Sequence, residues 1–528
     1  MTPDTPTPDF STPGLRTLGL PRLTAGLTPG APRLTHRAHL AAHGRLSPLP
    51  LPDLISLTEA IALRGRGGAA FAMARKLRAV AAATDGAGER PRPTVIVNGC
   101  EGEPASFKDT VLLTRTPHLV LDGALLAAAA LGADTVAFGV ARPRAEACIR
   151  AALAERGLHR RGAGSRSRSR SLRHRAPQTS VVRVPERMVS GEASALLRAV
   201  RGGPSLPAGA AARAHASDEG VLLCNAETYA QLAIAARLGA DAYATTGIPA
   251  EPGTLLLTLS GGVPATTVVE APTGTPLAYL LQALGAAPDL SGVLIGGYHG
   301  AWADPYAARE ISLAHTTLAA SGRTLGAGAI LPLPASTCPL GETARVAHWL
   351  AAESAGQCGP CRLGLPTLAG QLDAVVRGEG RAPLAALRDT ARSVRRRGAC
   401  KHPDGSSRMV LSALAAFTDD LAAHVLGAGC GRPVQGVLPL PGTPGTAAPP
   451  GSGTPSPSDL TDPPAARLTV DWTLCEAHGL CADLLPEAVR LDADGYPSRT
   501  DTPLPAHLTA RARQAVHRCP ALALRLTR

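Results

Sequence analysis

Aromatic residues are scarce in this 528-residue chain, where Phe, Trp and Tyr together make up 3%. Its cores must be built from Ala, Leu and Val, which the 45% hydrophobic share supplies. Charged residues are sparse as well, at 18%. No apolar run reaches membrane-spanning length, and the best candidate, residues 124–133, is short and lies between Asp122 and Asp134. The N-terminus, MTPDTPTPDF, has Asp and Pro where a secretion signal needs a basic stretch followed by an apolar one. The expectation is a cytoplasmic protein with no direct membrane span.

Gly and Pro are plentiful, at 56 and 48 residues, which predicts long irregular connections between about three or four domains. The net charge of +12 suggests nucleic acid until it is located: residues 156–175 hold eight Arg and no acid, and the remainder carries only about +4. Alternating Arg and Ser without interleaved aromatics reads as a solvated loop, with no nucleic acid expected. Eleven Cys in such a chain point to metal or redox chemistry where their spacing agrees.

The periodicity divides the chain. Residues 1–45 read as a disordered or extended arm. Residues 46–245 alternate helix and strand, which favours a parallel sheet. Residues 246–330 suit a small α+β domain, and 336–428 are helical with breaks at Cys-bearing turns. Residues 431–466 form a Pro/Gly/Ser/Thr linker, and 467–528 a final compact unit.

The sharpest motif lies in that last unit: Cys475, His478 and Cys481, then Cys519 followed by Pro520. A compact loop with a distant Cys-Pro converges sulfurs on one centre, as an iron-sulfur cluster requires, although the same ligand set would serve a Cys3His zinc site. The unit resembles single-cluster bacterial ferredoxins. His478 stands where that family often has Cys, which implies a [3Fe-4S] cluster or a [4Fe-4S] cluster with imidazole as fourth ligand.

A second group is Cys358 and Cys361, with Cys400 farther on. The stretch from Glu353 to Arg362 resembles the iron-sulfur segment of the flavoprotein subunit of respiratory complex I, shared with diaphorase subunits of NAD-linked hydrogenases and formate dehydrogenases. A further Cys of that pattern is Ala355 here. The fourth ligand of a [4Fe-4S] or [3Fe-4S] cluster is thus open, with His402 and Cys338 as possible substitutes.

The same family resemblance recurs upstream. Gly65, Arg66, Gly67, Gly68 and Phe71, with Lys76, look like its glycine-rich flavin loop. Asn98, Glu101 and Glu103, followed by Lys108 and Asp109, look like its second flavin segment. Gly191 and Glu192, then Asn225 and Thr228, complete the order. Glycines let backbone N–H groups approach a phosphate, and carboxylates at a strand's carboxyl edge can accept hydroxyl hydrogen bonds. Lys76 would balance phosphate or flavin charge, or be solvated; Phe71 would stack on nicotinamide, or pack in a core. Cys100, Ala193 and the loop Gly202–Pro207 depart from the family pattern, chiefly at nucleotide contacts.

The resemblance implies a multidomain α/β protein: a Rossmann-like FMN domain, a β-grasp-like domain, a helical iron-sulfur domain and a ferredoxin-like domain. It implies an NAD(P)H dehydrogenase-like oxidoreductase moving electrons between NAD(P)H, FMN and two clusters, with a redox partner protein or membrane electron-transfer subunit. The alternatives are an electron-relay or assembly subunit that no longer oxidises NADH, and an RNA-binding protein acting through the Arg/Ser loop.

Overall fold

The computed structural model describes residues 13–28, 32–85, 92–158, 177–209, 216–441, 466–492 and 494–527. Four strands, Thr94–Gly99, Thr135–Val140, Gln178–Arg183 and Val221–Asn225, form a parallel sheet in which Thr94–Gly99 lies between Thr135–Val140 and Val221–Asn225. Val95, Ile96 and Val97 are buried without alternation, as expected for a sheet covered on both faces. Helix Pro117–Leu131 begins with Pro, which forfeits only an N–H that would be unpaired there, and stops at Gly132 in the left-handed region. It packs so closely on helix Ala226–Ala244 that a Cβ on Gly123 would sit 1.8 Å from the Tyr229 carbonyl oxygen.

A second, mixed sheet runs Gly14–Thr17, Thr267–Pro272, Thr254–Leu259, Ala329–Pro334, Leu290–Ile295, Ala301–Ala303. Its first strand corrects the expectation of a loose arm over residues 1–45. Gly14–Thr17 pairs in parallel with Thr267–Glu270, and the buried Glu270 carboxylate accepts the N–H groups of Arg22, Leu23 and Thr24 at 2.8–3.2 Å. A buried carboxylate needs such donors, and the N-terminal segment supplies them. Residues 1–12 and 29–31 lie outside the described residues.

Five helices follow: Pro339–Ala352, Leu365–Val376, Arg381–Ser393, His402–Ala416 and Thr418–Val425. The expected linker over 431–466 starts with a docked segment. Gly436, Val437 and Leu438 donate their N–H groups to the fully buried Glu342, and Leu438 is itself buried. The rest of the linker, residues 442–465, lies outside the described residues. The last unit is a three-stranded antiparallel sheet, Ala466–Val470 between Asp501–Leu504 and Leu524–Thr527, with helix Thr509–Arg518 against it.

The Arg/Ser insert over 156–175 also lies outside the described residues, except at its start. Arg156 is no loop arginine: it donates to Asp122 at 2.6 Å and to both Nδ1 and the carbonyl of His118 at 3.0 Å. Among the described residues no single helix is long and apolar enough to cross a membrane.

Candidate functional site

The carboxyl edge of the parallel sheet gathers the residues singled out around the glycine run. Arg66 donates its backbone N–H to Thr228 Oγ1 at 2.9 Å, while its guanidinium is buried against Glu251 at 3.3 Å. A Cβ on Gly67 would lie 3.3 Å from Asn225 Cβ, and Gly68 has φ +93°. Gly65 closes the turn by donating to the Phe71 carbonyl. The run therefore lies against the N-terminus of helix Ala226–Ala244, which Asn225 caps by accepting from the Glu227 N–H. Such a terminus favours a phosphate.

Asn98 donates to the Gly191 carbonyl at 2.8 Å, and Gly191 approaches so closely that a Cβ there would be 2.9 Å from the Cys100 oxygen. Glu192 caps helix Ala193–Val200. Lys76 is half-buried and donates to the Leu223 carbonyl at 2.8 Å, so it is not a solvated helical lysine. Phe71 is 38% exposed, which rules out core packing, and the Arg75 guanidinium lies 5.0 Å from its ring centre.

The two glutamates differ in how far protein donors already occupy them. Glu101 takes the N–H groups of Asp109 and Thr110 and the hydroxyls of Ser106 and Thr110, which satisfies the open N-terminus of helix Lys108–Arg115. Glu103 accepts from the Tyr298 N–H at 2.8 Å and only distantly, at 3.4 Å, from Ala105. Burial pushes its carboxyl up to about 7, against those hydrogen bonds and with Glu101 adding to the rise.

One polar group at this edge was not legible as such. The Lys108 ammonium is buried among Asp109, Asn225 and Glu227 at 2.9, 3.0 and 3.2 Å. Burial opposes its charge, yet Asp109, Glu227 and Glu101 hold its pKa above the ordinary value. The Lys108-Asp109 pair is visible in the sequence, but its convergence on Asn225 and Glu227 comes from neighbouring strand ends.

The fit to a flavin nucleotide rests on two observations. Among the described residues, Arg66 Nε and Ser190 Oγ are buried without a hydrogen-bond partner, as groups awaiting a ligand would be, and Gly65, Gly67 and Gly68 carry no side chain beside the helix N-terminus that favours a phosphate.

Cys358, Cys361 and Cys400 are all buried. The hydrogen bond between Cys361 and Cys358 draws the Cys358 thiol down to about 7 against the cost of burial, helped by the Ala399 and Cys361 N–H groups. The same pairing, with burial and the nearby Cys400, pushes Cys361 up. Three buried thiols, Cys358 with backbone donors, form a donor set suited to an iron-sulfur cluster. Both suggested fourth ligands have protein partners in this structure. His402 Nε2 is 2.7 Å from the Leu350 carbonyl and its Nδ1 is 3.0 Å from His299, while Cys338 sits 3.3 Å from His424 in another place.

In the last unit Cys475, Cys481 and Cys519 line one cavity together with His478, Gly479 and Pro520. Ala477, Gly479 and Leu522 take positive φ, which turns this backbone around the cavity. Ala523 donates its N–H to Cys519 Sγ at 3.3 Å. His478 lies on the wall with its side chain 43% exposed and 3.8 Å from Glu476.

The three groups adjoin. Met188 N–H donates to Glu353 at 3.0 Å, Arg187 to the Ser354 carbonyl at 2.9 Å, and Gln357 to the Pro207 carbonyl at 3.1 Å. On the other side of the same loop, Thr500 donates to the Gly356 carbonyl at 2.9 Å and Arg362 to Asp501 at 2.5 Å. A Cβ on Gly359 would meet Asp471 at 2.7 Å.

Comparison with known proteins agrees with this division. Residues 58–234 match the Nuo51 FMN-binding domain, 341–424 the NADH-ubiquinone oxidoreductase-F iron-sulfur binding region, and 468–526 the 4Fe-4S single cluster domain. The chain is 30% identical to the F subunit of the NADH-quinone oxidoreductase of Mycobacterium tuberculosis over 401 residues, covering 72% of this chain and 86% of the relative. It is 28% identical to the second F subunit of the NADH-quinone oxidoreductase of Rhizobium meliloti over 406 residues, covering 74% and 92%. Among solved structures, an NAD+-reducing [NiFe]-hydrogenase in the H2-reduced state shares the fold, with a TM-score of 0.65, 24% identity, and 78% and 68% of the two chains covered.

Proposed function

Because the chain belongs to the family of NADH-quinone oxidoreductase F subunits, we propose that this iron-sulfur flavoprotein passes electrons between NAD(P)H and a tethered ferredoxin-like domain through one continuous series of sites. FMN bound at the glycine run would convert two-electron hydride chemistry into one-electron steps, and the clusters would carry single electrons.

Each residue group has its own task. Gly65, Gly67 and Gly68, beside the helix capped by Asn225, take the phosphate, with Arg66 and Thr228 holding the loop. Lys76 and Asn98 bound the flavin edge, while Gly191 and Glu192 fix the segment facing it. Phe71 offers an exposed ring to the nicotinamide. Glu103 is the remaining acceptor for a ribose hydroxyl, whereas Glu101 braces the helix start. Cys358, Cys361 and Cys400 hold the first cluster; Cys475, Cys481 and Cys519 hold the second, with His478 at its wall. In this reading the parallel-sheet unit is Rossmann-like, the mixed-sheet unit β-grasp-like, and the final electron acceptor a redox partner protein or membrane subunit.

The observation that carries the proposal is the two sets of contacts on either side of the loop 353–362, by Arg187, Met188 and Pro207 on one side and Thr500 and Asp501 on the other. Protein purified anaerobically should show flavin and iron-sulfur absorption that bleaches on adding NADH or NADPH. Flavin present without bleaching would favour a relay subunit, and no flavin on denaturation would overturn the reading.

A further inference from the structure

Cys338, His424 and Cys430 fall outside every site described above, and Cys338 lies far from the other two in the chain. Cys338 caps helix Pro339–Ala352, with its Sγ accepting the Gly341 N–H at 3.3 Å. His424, in the last turn of helix Thr418–Val425, brings Nε2 to 3.3 Å from Cys338 Sγ. Its other nitrogen, Nδ1, is 2.7 Å from the Val376 carbonyl. A carbonyl can only accept, so Nδ1 carries the hydrogen and Nε2 turns a lone pair toward the sulfur. Cys430 completes the group, and the three ligand atoms all lie within 4.8 Å of one another.

This arrangement has the features of a site for one ion. Around a tetrahedral zinc, sulfurs at about 2.3 Å and nitrogen at about 2.0 Å are separated from one another by roughly 3.5–4 Å. Two thiols and an imidazole are ligands that zinc favours, and a backbone carbonyl on the distal ring nitrogen is the usual means of orienting a ligating histidine.

We propose that Cys338, His424 and Cys430 bind a single zinc ion that fastens the segment leaving the helical unit to the first helix of that unit. Cys430 lies six residues before Gly436, which with Val437 and Leu438 donates N–H groups to Glu342, and Cys338 donates its own N–H to the Pro433 carbonyl. The ion crosslinks the two ends of this fold and sets where the tether to the last unit departs. The fourth position is left to water.

The test is metal analysis of the full chain purified from zinc-containing medium, with iron, sulfide and FMN measured in the same samples. The expected result is one zinc per chain, lost in Cys430→Ser and His424→Gln while iron, sulfide and FMN stay unchanged. His424→Cys, which supplies a third thiolate, should retain the zinc if the loss in His424→Gln is specific. X-ray absorption at the zinc edge should report two sulfurs and lighter N/O ligands. A shell of sulfur alone, zinc retained in both Cys430→Ser and His424→Gln, absence of zinc from the parent protein, or a Cys338–Cys430 disulfide in a non-reduced peptide map would overturn the assignment.

Discussion

Arg362, the residue after Cys361, donates to the Asp501 carboxylate at 2.5 Å and to the Thr500 carbonyl at 3.0 Å, tying the loop of one cysteine group to the unit that carries the other. Both side chains are only partly exposed, at 29% and 23%. Docking thus depends on charge-assisted bonds that salt weakens but does not abolish.

Arg362→Ala should remove about 1–2 kcal/mol from docking after allowance for solvent screening, roughly a tenfold fall in the docking equilibrium constant. Electron transfer to the C-terminal cluster should slow correspondingly, with FMN and iron content retained. Stopped-flow reduction followed by paramagnetic resonance of the two clusters is the measurement, and an unchanged rate would show that docking does not limit transfer.

Cys481→Ser should deplete iron and sulfide from the last unit while leaving FMN and the first cluster in place. Residues 462–528 expressed alone should be brown and give a paramagnetic signal in one redox state. Zinc without sulfide in that fragment would sink the claim.

Phe71→Ala should leave flavin bound and lower the rate of its reduction by NAD(P)H about tenfold or more, because the exposed ring is the stacking surface offered to the nicotinamide. NADH itself should bind weakly to the parent protein, since Ala193 and the short loop Gly202–Pro207 remove family contacts worth roughly 1.5–3 kcal/mol each. Micromolar NADH binding by titration calorimetry would contradict this.

Acid should destabilise the N-terminal half through a histidine group. His43 and His118 are both drawn down to about 4, first by burial, then by His39 and Arg237 near the former and Arg156 near the latter. A base whose folded pKa lies below its ordinary 6.5 binds fewer protons in the folded state, so its contribution is complete above pH 6.5 and is lost as pH falls toward 4. Each tenfold loss of proton affinity on folding is worth about 1.4 kcal/mol at most. Although burial opposes it, the His39 hydrogen bond with Arg156 and Arg237 holds the Asp122 carboxyl below its ordinary range, which extends the loss to lower pH. Tm should fall steadily between pH 7 and 5, with a shallower slope in His118→Gln; a flat profile in the parent would refute the linkage.

By itself the sequence determined what depends on residues near one another in the chain. The spacing of Cys475, His478 and Cys481 announces a converging loop because a few residues of backbone hold those side chains together. The glycine run from Gly65 to Gly68 announces a close approach because only glycine leaves that space. The unbroken apolar strands announce a sheet covered on both sides. Tertiary structure decided what depends on distant segments meeting. The four residues Gly14–Thr17 carry no pattern of their own, and become a strand because the edge of Thr267–Pro272 and the buried Glu270 supply partners. Glu101 looked like a ligand residue and became a helix brace because four donors reach it first. Cys338 and His424 are 86 positions apart, and no spacing rule links them. They meet because helix packing places the end of one helix beside the start of another.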